Sequence, residues 1–321
     1  MEIIRAHNLS KNYVFYKKEE GLKGSLKGLF HREKSTNEAV KEVNFSVNSG
    51  ELIGFIGPNG AGKTTVLKML SGILYPSGGE LSVLGHIPSK RKNDFLRQIA
   101  IVMGQKNQLW WDLPAQDTFR FNKKLYSIPN QEYDQRLKEL TDMLGVAQLL
   151  PVQVRKLSLG ERMKMELIAS LLHHPKLLLL DEPTIGLDIQ SQKAIRSFVK
   201  EYNQQRGNTI LLTSHYMKDV QELCNRIIII NKGLLVFDGL QKNLLHTYGK
   251  SKNIKISFDQ PPAPEQLAQY GEVIDQEEFH ATLRVPTGET AELTARLLHA
   301  FDINDISIDD ISLEDAVEHI F

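Results

Sequence analysis

Eight consecutive residues, Gly57-Pro58-Asn59-Gly60-Ala61-Gly62-Lys63-Thr64, constrain this chain more than any other feature. They follow an apolar run, Glu51 to Ile56, and precede a stretch of helical character, Lys63 to Gly72, so the pattern G-x-x-x-x-G-K-[ST] stands between a strand and a helix. Glycines at these places let consecutive backbone N–H groups turn inward on a phosphate, and the following helix adds the positive end of its dipole. In such a loop Gly57, Asn59, Gly60 and Gly62 form the cradle and Lys63 reaches the β- and γ-phosphates. Thr64 holds Mg2+, and Thr65 lies next to the α-phosphate in related loops. A glycine-rich turn without a ligand is the competing reading, and the strand and helix flanks speak against it.

A second element belongs to the same chemistry. Leu177-Leu178-Leu179-Leu180-Asp181-Glu182 is an apolar strand that ends in two carboxylates. An acid at the carboxyl end of a buried strand can bind the Mg2+ hydration shell, and a second acid beside it can face the γ-phosphate and polarise water. Asp181 is therefore assigned to the metal and Glu182 to the general base. Alone, the pair would be read as a cap for the following helix or turn; the phosphate loop upstream tips the balance. Short apolar strands recur at Thr209 to Thr213 and Ile227 to Ile230, separated by helical patterns, which predicts a parallel sheet buried on both faces. The expected fold is thus α/β, a phosphate-loop core with a parallel sheet, interrupted by a helical subdomain at about 106–170.

At 321 residues the chain is long enough for two domains. The composition shifts past Leu240, and Gln260-Pro261-Pro262-Ala263-Pro264 breaks any element, so residues 241–321 are expected to form a small α+β domain, ferredoxin-like in its order of elements. Near the start, Lys17 to Glu38 separates a strand at Ile3 to Leu9 from another at Ala39 to Val47. Within it Leu22, Leu26, Leu29 and Phe30 recur at helical spacing among lysines and arginines, giving a short basic amphipathic segment.

The sequence Leu157-Ser158-Leu159-Gly160-Glu161 resembles the LSGGQ signature of ATP-binding-cassette (ABC) proteins, and the resemblance extends over roughly residues 3–240. It departs from that pattern at Leu159 and Glu161. The family resemblance implies that ATP is sandwiched head to tail between two such subunits, with Ser158 and Gly160 of one copy capping the γ-phosphate held by the other. Ser158 followed by Glu161 also satisfies a capping box, and both readings hold together, since a capped helix N-terminus is what would face phosphate. By the same resemblance Gln105 is the Q-loop glutamine at Mg2+ or the attacking water, Asp188 reaches across the dimer, and His215 is the switch histidine at the γ-phosphate. Tyr13 has two readings, an aromatic that stacks on adenine or a packed strand residue.

The resemblance implies an ATPase that powers a separate integral membrane permease from the cytoplasmic face, working as a homodimer. Residues Val102 to Pro114 and Ser312 to Asp315 are similar to exporter-type cassettes of bacteria, which predicts export; the basic insert is similar to that of polysaccharide exporters and raises glycan export as an alternative. Adjacent Trp110 and Trp111 are expected either to dock the permease or to lie in the core. Lys+Arg and Asp+Glu both number 39, so no surface built wholly for nucleic acid is expected. A soluble cassette acting on ribosomes or DNA would need tandem cassettes or a long coiled coil, and neither is visible. A catalytically dead cassette would lack Lys63, Glu182 or His215, and all are present. The lone Cys224 excludes an internal disulfide, and no apolar run approaches the ~20 residues that span a bilayer.

Overall fold

The computed structural model describes residues 1–16, 34–104, 106–214, 216–248, 251–318 and 320. Of the separator inferred from the sequence at Lys17 to Glu38, residues 17–33, with the basic amphipathic segment, lie outside them, and Lys34 to Glu38 is strand rather than part of an insert. The chain divides into two compact units, Met1–Asp238 and Gly239–Phe321.

The first unit opens with two long strands, β1 (Glu2–Tyr16) and β2 (Lys34–Asn48), both longer than their apolar cores suggest. They pair antiparallel. Past the buried apolar residues Leu9 and Val40 the ladder continues to Tyr16 and Lys34, with Val14 and Phe15 of β1 exposed and paired to Thr36 and Ser35 of β2. There follow β3 (Leu52–Ile56), α1 (Lys63–Leu70), β4 (Gly78–Val83), α2 (Asn93–Leu96) and β5 (Ile99–Met103). The helical subdomain contributes α3 (Ala115–Leu125), α4 (Asn130–Leu144) and α5 (Leu159–Leu171). The chain then returns to the sheet with β6 (Leu177–Asp181), α6 (Ile189–Arg206), β7 (Thr209–Thr213), α7 (Met217–Leu223), β8 (Arg226–Asn231) and β9 (Leu234–Leu240).

These strands make two sheets. β2-β1-β4 is a three-stranded antiparallel sheet, and β5-β6-β7-β3-β8-β9 is the six-stranded central one. Every residue of β6 and β7 is buried, as expected where helices cover both faces of parallel strands. β9 alternates exposed and half-buried residues, the pattern of a strand with one wet face. Between the sheets, Val66, Leu67 and Leu70 of α1 join one core with Ile4, Leu9, Val40 and Val43 on one side and Phe55, Leu179, Leu211 and Ile228 on the other. Burial of each such side chain contributes about 1.5–3 kcal/mol before chain entropy is counted, so α1 and the loop that precedes it are held from both faces.

At the edge of the helical subdomain His173 stacks on Tyr126, with ring centroids 4.0 Å apart and 9° between planes, and a ring nitrogen faces the Ile99 carbonyl at 3.0 Å. Burial pushes the His173 pKa down to about 4, so the folded chain keeps the ring neutral. Between pH 6.5 and 4 the unfolded chain takes up this proton and the folded one does not, so stability is complete above 6.5 and falls with acid. The expected loss is roughly 3 kcal/mol over that interval. Urea unfolding at pH 7, 5.5 and 4 should show a shallower acid loss in His173→Gln; parallel curves for the two chains would remove His173 as its source.

The second unit begins with α8 (Gln241–Tyr248) and continues as β10 (Ser251–Phe258), α9 (Pro264–Leu267), β11 (Glu272–Glu277), β12 (His280–Pro286), α10 (Thr290–Ala300), β13 (Ile303–Asp310) and α11 (Leu313–Glu318). The four-stranded antiparallel sheet has the order β11-β12-β10-β13, which with the β-α-β-β-α-β succession is the ferredoxin-like arrangement. Ile254, Ile256, Phe258, Leu283, Leu293 and Leu297 form its core. Helix α9 stops at Leu267, short of the Tyr270 expected from the sequence. Among the described residues no helix is long and apolar enough to cross a membrane.

Candidate functional site

Strand order brings the sequence motifs together. β5, β6, β7 and β3 are consecutive neighbours in the central sheet, and the parallel register aligns their carboxyl ends. Those ends lead into Gln105, into Asp181 and Glu182, into His215, and into the phosphate loop. The crevice outside the carboxyl ends of parallel strands is where α/β folds bind ligands. A cavity of about 550 Å³ lies at the opposite edge, lined by Gln98, Lys176 and Asn208 just before β5, β6 and β7, and it holds none of these motifs.

The loop is built around its own lysine. The Lys63 ammonium donates to the carbonyls of Gly57 at 2.6 Å and Pro58 at 3.0 Å, closing the loop. Gly62 has φ of 112° and lies so close to the Ala39 carbonyl that a Cβ would sit 2.5 Å from its oxygen, so only glycine lets the chain turn here into α1. Asn59 and Gly60 are exposed at the loop's crest, and Thr64 and Thr65 are half-buried in the first turn of α1. Burial pushes the Lys63 pKa below the usual lysine value, while the nearby carboxylates of Glu182 and Asp181 oppose that shift.

Thr64 and Asp181 meet. The Thr64 hydroxyl donates to Asp181 Oδ1 at 3.1 Å, and the Thr213 hydroxyl donates to the same oxygen at 2.7 Å. A threonine hydroxyl and one carboxylate are hard oxygen donors of the kind Mg2+ takes when phosphates and water complete its shell. Among the described residues there is no cluster of three or more His, Cys, Asp or Glu side chains that could hold a metal.

Glu182 occupies the left-handed region with φ of 55°, a conformation that costs a non-glycine residue about 1–2 kcal/mol. Its N–H is shared between the Thr213 carbonyl and hydroxyl, both at 3.1 Å, which offsets the strain and ties the end of β6 to the end of β7. Backbone strain held in place by such ties is characteristic of functional turns.

Ser158, Gly160 and Asp188 gather in a second cluster. Ser158 caps α5 with the complete capping box expected from the sequence: the Glu161 N–H donates to the Ser158 hydroxyl and the Ser158 N–H donates to the Glu161 carboxylate. Asp188 caps α6, accepting from the Ser191 N–H at 2.9 Å and the Ser191 hydroxyl at 2.6 Å. These bonds, led by the hydroxyl, hold the Asp188 carboxyl below the usual aspartate range. A Cβ on Gly160 would meet Ser191 Oγ at 2.1 Å, so the two capped helix ends pack only because residue 160 lacks a side chain. Leu159, where the signature has glycine, is exposed.

Tyr13 lies in β1 and is 38% exposed, with the Lys11 ammonium 5.5 Å from its ring centroid. Trp110 and Trp111 are 42% and 46% exposed, so neither belongs to the core. Gln105 and His215 lie outside the described residues.

Sequence reasoning missed the residues that brace the site. Thr213 holds both carboxylate positions. Asp219, fully buried, accepts from the hydroxyls of Thr184 and Ser214 and from Arg196 at 2.8 Å, joining the segments after β6 and β7 to α6. An acidic residue in a short helix after a strand carries no mark of burial in the sequence, so no local signal could have found it.

Comparison with known proteins identifies the family. The ABC transporter ATP-binding protein NatA of Bacillus subtilis is 33% identical over 215 residues, covering 67% of this chain and 87% of NatA. The chain belongs to the ABC transporter family. The ABC transporter family model matches residues 40–185, and a second model, the EvrA-like ABC transporter C-terminal domain, matches residues 250–309. The bacitracin transport ATP-binding protein BcrA of Bacillus licheniformis is 30% identical over 288 residues, covering 87% of this ABC chain and 91% of BcrA. Among solved structures, cbiO1 of Clostridium perfringens, part of the ABC transporter complex cbiONQ, is 25% identical, with a TM-score of 0.62 over 76% of this chain and 91% of that one. As an ABC transporter ATP-binding subunit, the chain binds and hydrolyses ATP to power a separate permease.

Proposed function

We propose that this cassette drives export, docked on the cytoplasmic face of the membrane and working as a pair of identical chains that close on two ATP molecules. Residues 1–240 carry the ATP chemistry, and residues 241–321 are an accessory domain. The observation that carries the membrane assignment is an exposed aromatic patch beside the segment that follows β5. Trp110 packs on Phe121 at 5.2 Å, and Trp111, Leu113 and Phe121 are all more than two-fifths exposed. A groove of about 360 Å³ next to it is lined by Ile73, Leu96, Gln108, Thr118 and Leu125. Such a surface on a water-exposed domain is a liability unless a partner covers it.

In the proposed cycle the loop at 57–62, Lys63 and Thr65 position the phosphates and Tyr13 stacks on adenine. Thr64, Asp181 and Gln105 would hold Mg2+, which would supply charge neutralisation at the transferred group. Glu182, fixed by Thr213, takes the proton of the attacking water while His215 orients that water. Ser158, Gly160 and Asp188 of the second copy close the site, so ATP favours the joined state and hydrolysis releases it.

The test is co-purification. The tagged chain, extracted gently from its native membranes, is expected to bring down a polytopic membrane protein in fixed ratio. Trp110→Ala/Trp111→Ala should weaken that association by more than about 2 kcal/mol, roughly 30-fold, as for paired interface anchors. Recovery of ribosomal or nucleic-acid-bound material alone would overturn the transport assignment, and undiminished recovery by the double variant would move the docking face elsewhere.

A further inference from the structure

Helix α5 starts at the signature end, after Ser158, and runs alongside the segment that carries the exposed tryptophans. One stripe of it holds that segment. Glu166 Oε1 accepts the backbone N–H groups of Gln108 at 2.8 Å and Leu109 at 3.2 Å. One turn earlier the Arg162 guanidinium lies 5.5 Å from the Trp111 ring centroid, a cation–π approach. Near the other end, the Ala169 carbonyl accepts from the Asn122 side chain of α3 at 3.2 Å, while the Trp110 N–H is taken by the Thr118 hydroxyl of α3 at 3.2 Å. The 108–111 segment thus has no backbone N–H contact of its own choosing at residues 108 to 110: α5 and α3 hold all three.

Glu166 is an odd side chain for this duty. It is 3% exposed, on a helix whose Met163, Met165, Leu167 and Ile168 are also buried, and its second carboxylate oxygen is buried with no hydrogen-bond partner among the described residues. Burial pushes its pKa above the usual carboxylate value, against the two N–H bonds and the Arg162 charge. An apolar residue would fill the space without that penalty but would leave the Leu109 N–H unpaired in a buried place and would take the acceptor from the part-buried N–H of Gln108. The carboxylate is retained where it joins two segments with different tasks.

We propose that Glu166 is the strut that makes the Trp110–Trp111 face move with the signature end of α5, so that nucleotide binding is reported at the surface offered to the membrane partner. It is a positioning residue and touches neither nucleotide nor partner. The proposal rests on the reading of Ser158, Gly160 and the aromatic patch given above.

The chain has two tryptophans, and both lie in this segment, so its intrinsic indole emission reports on that face alone. Emission is followed during titration with Mg·ATP, and ATP affinity is measured in parallel by calorimetry. Wild-type emission is expected to change on saturation. In Glu166→Ala that change should be at least about fivefold smaller with the ATP Kd within about twofold of wild type, the signature of lost coupling rather than lost binding. Glu166→Gln, whose carboxamide oxygen still accepts both N–H groups, should restore most of it. Should Glu166→Ala fail to fold, Glu166→Met, which fills the space without an acceptor, takes its place. A full emission change in the variant without an acceptor, or silent tryptophans in a wild-type chain that binds ATP, overturns the strut alone. A wild-type chain that binds no ATP overturns the nucleotide site and the strut with it.

Discussion

Glu182→Gln is expected to bind ATP as the wild-type chain does and to hydrolyse it at least ~100-fold more slowly, the scale of a lost general base. The expectation comes from position more than from residue type. Glu182 follows Asp181 at the end of β6, in a left-handed backbone conformation with φ of 55°, and its N–H is pinned by Thr213. Glutamine has the same shape and keeps those backbone bonds, so the loop, Lys63 and Thr64 stay where they are. What it loses is the capacity to take a proton from water. Steady-state phosphate release, compared with ATP affinity measured by calorimetry, separates the two effects. Turnover near the wild-type rate would remove Glu182 from the role of base, and a large loss of affinity would make it a binding residue instead.

Lys63→Ala acts on the other side of the phosphate. In the folded chain the ammonium is held by the carbonyls of Gly57 and Pro58 inside the loop, where burial lowers its pKa and the carboxylates Asp181 and Glu182 oppose the shift. A desolvated cation poised beside a phosphate cradle contributes charge-assisted hydrogen bonds of about 1.5–3 kcal/mol, so its removal should raise the ATP Kd roughly 10- to 100-fold. Folding should suffer little, because the variant also relieves the cost of burying the charge. Calorimetric titration with ATP, together with thermal unfolding in its absence, is the check. Unchanged affinity would contradict the assignment of the loop; a collapse of thermal stability would mean that Lys63 serves the fold first.

Much of this site can be read from sequence because its parts are local. The loop at 57–64 and the acidic end of β6 each combine an apolar strand with a distinctive sequel, and buried parallel strands such as Leu177 to Leu180 announce themselves as unbroken apolar runs. Ser158 with Glu161 is legible for the same reason, since a capping box is a matter of spacing along one chain segment. The outer parts of β1 and β2 are not, because exposed Tyr13, Val14 and Phe15 of β1 find their backbone partners in the polar residues Asn37, Thr36 and Ser35 of β2, which carry no strand pattern of their own. Nor are Thr213, Asp219 and Glu166. Their importance lies in what folding brings against them: an Asp181 oxygen, three donors on Asp219, and two N–H groups of a distant loop on Glu166. A polar residue in a helix pattern looks like a solvated face until the tertiary structure covers it.

That ATP is an interfacial ligand between two copies is the claim on which the transport cycle stands, and sedimentation velocity of the Glu182→Gln chain tests it most directly. With Mg·ATP, which this variant is expected to bind and to hydrolyse at least ~100-fold more slowly, the chain is expected to sediment as a dimer, and with ADP or without nucleotide as a monomer. The same sedimentation coefficient in ATP and in ADP, with ATP binding confirmed by calorimetry, would contradict it.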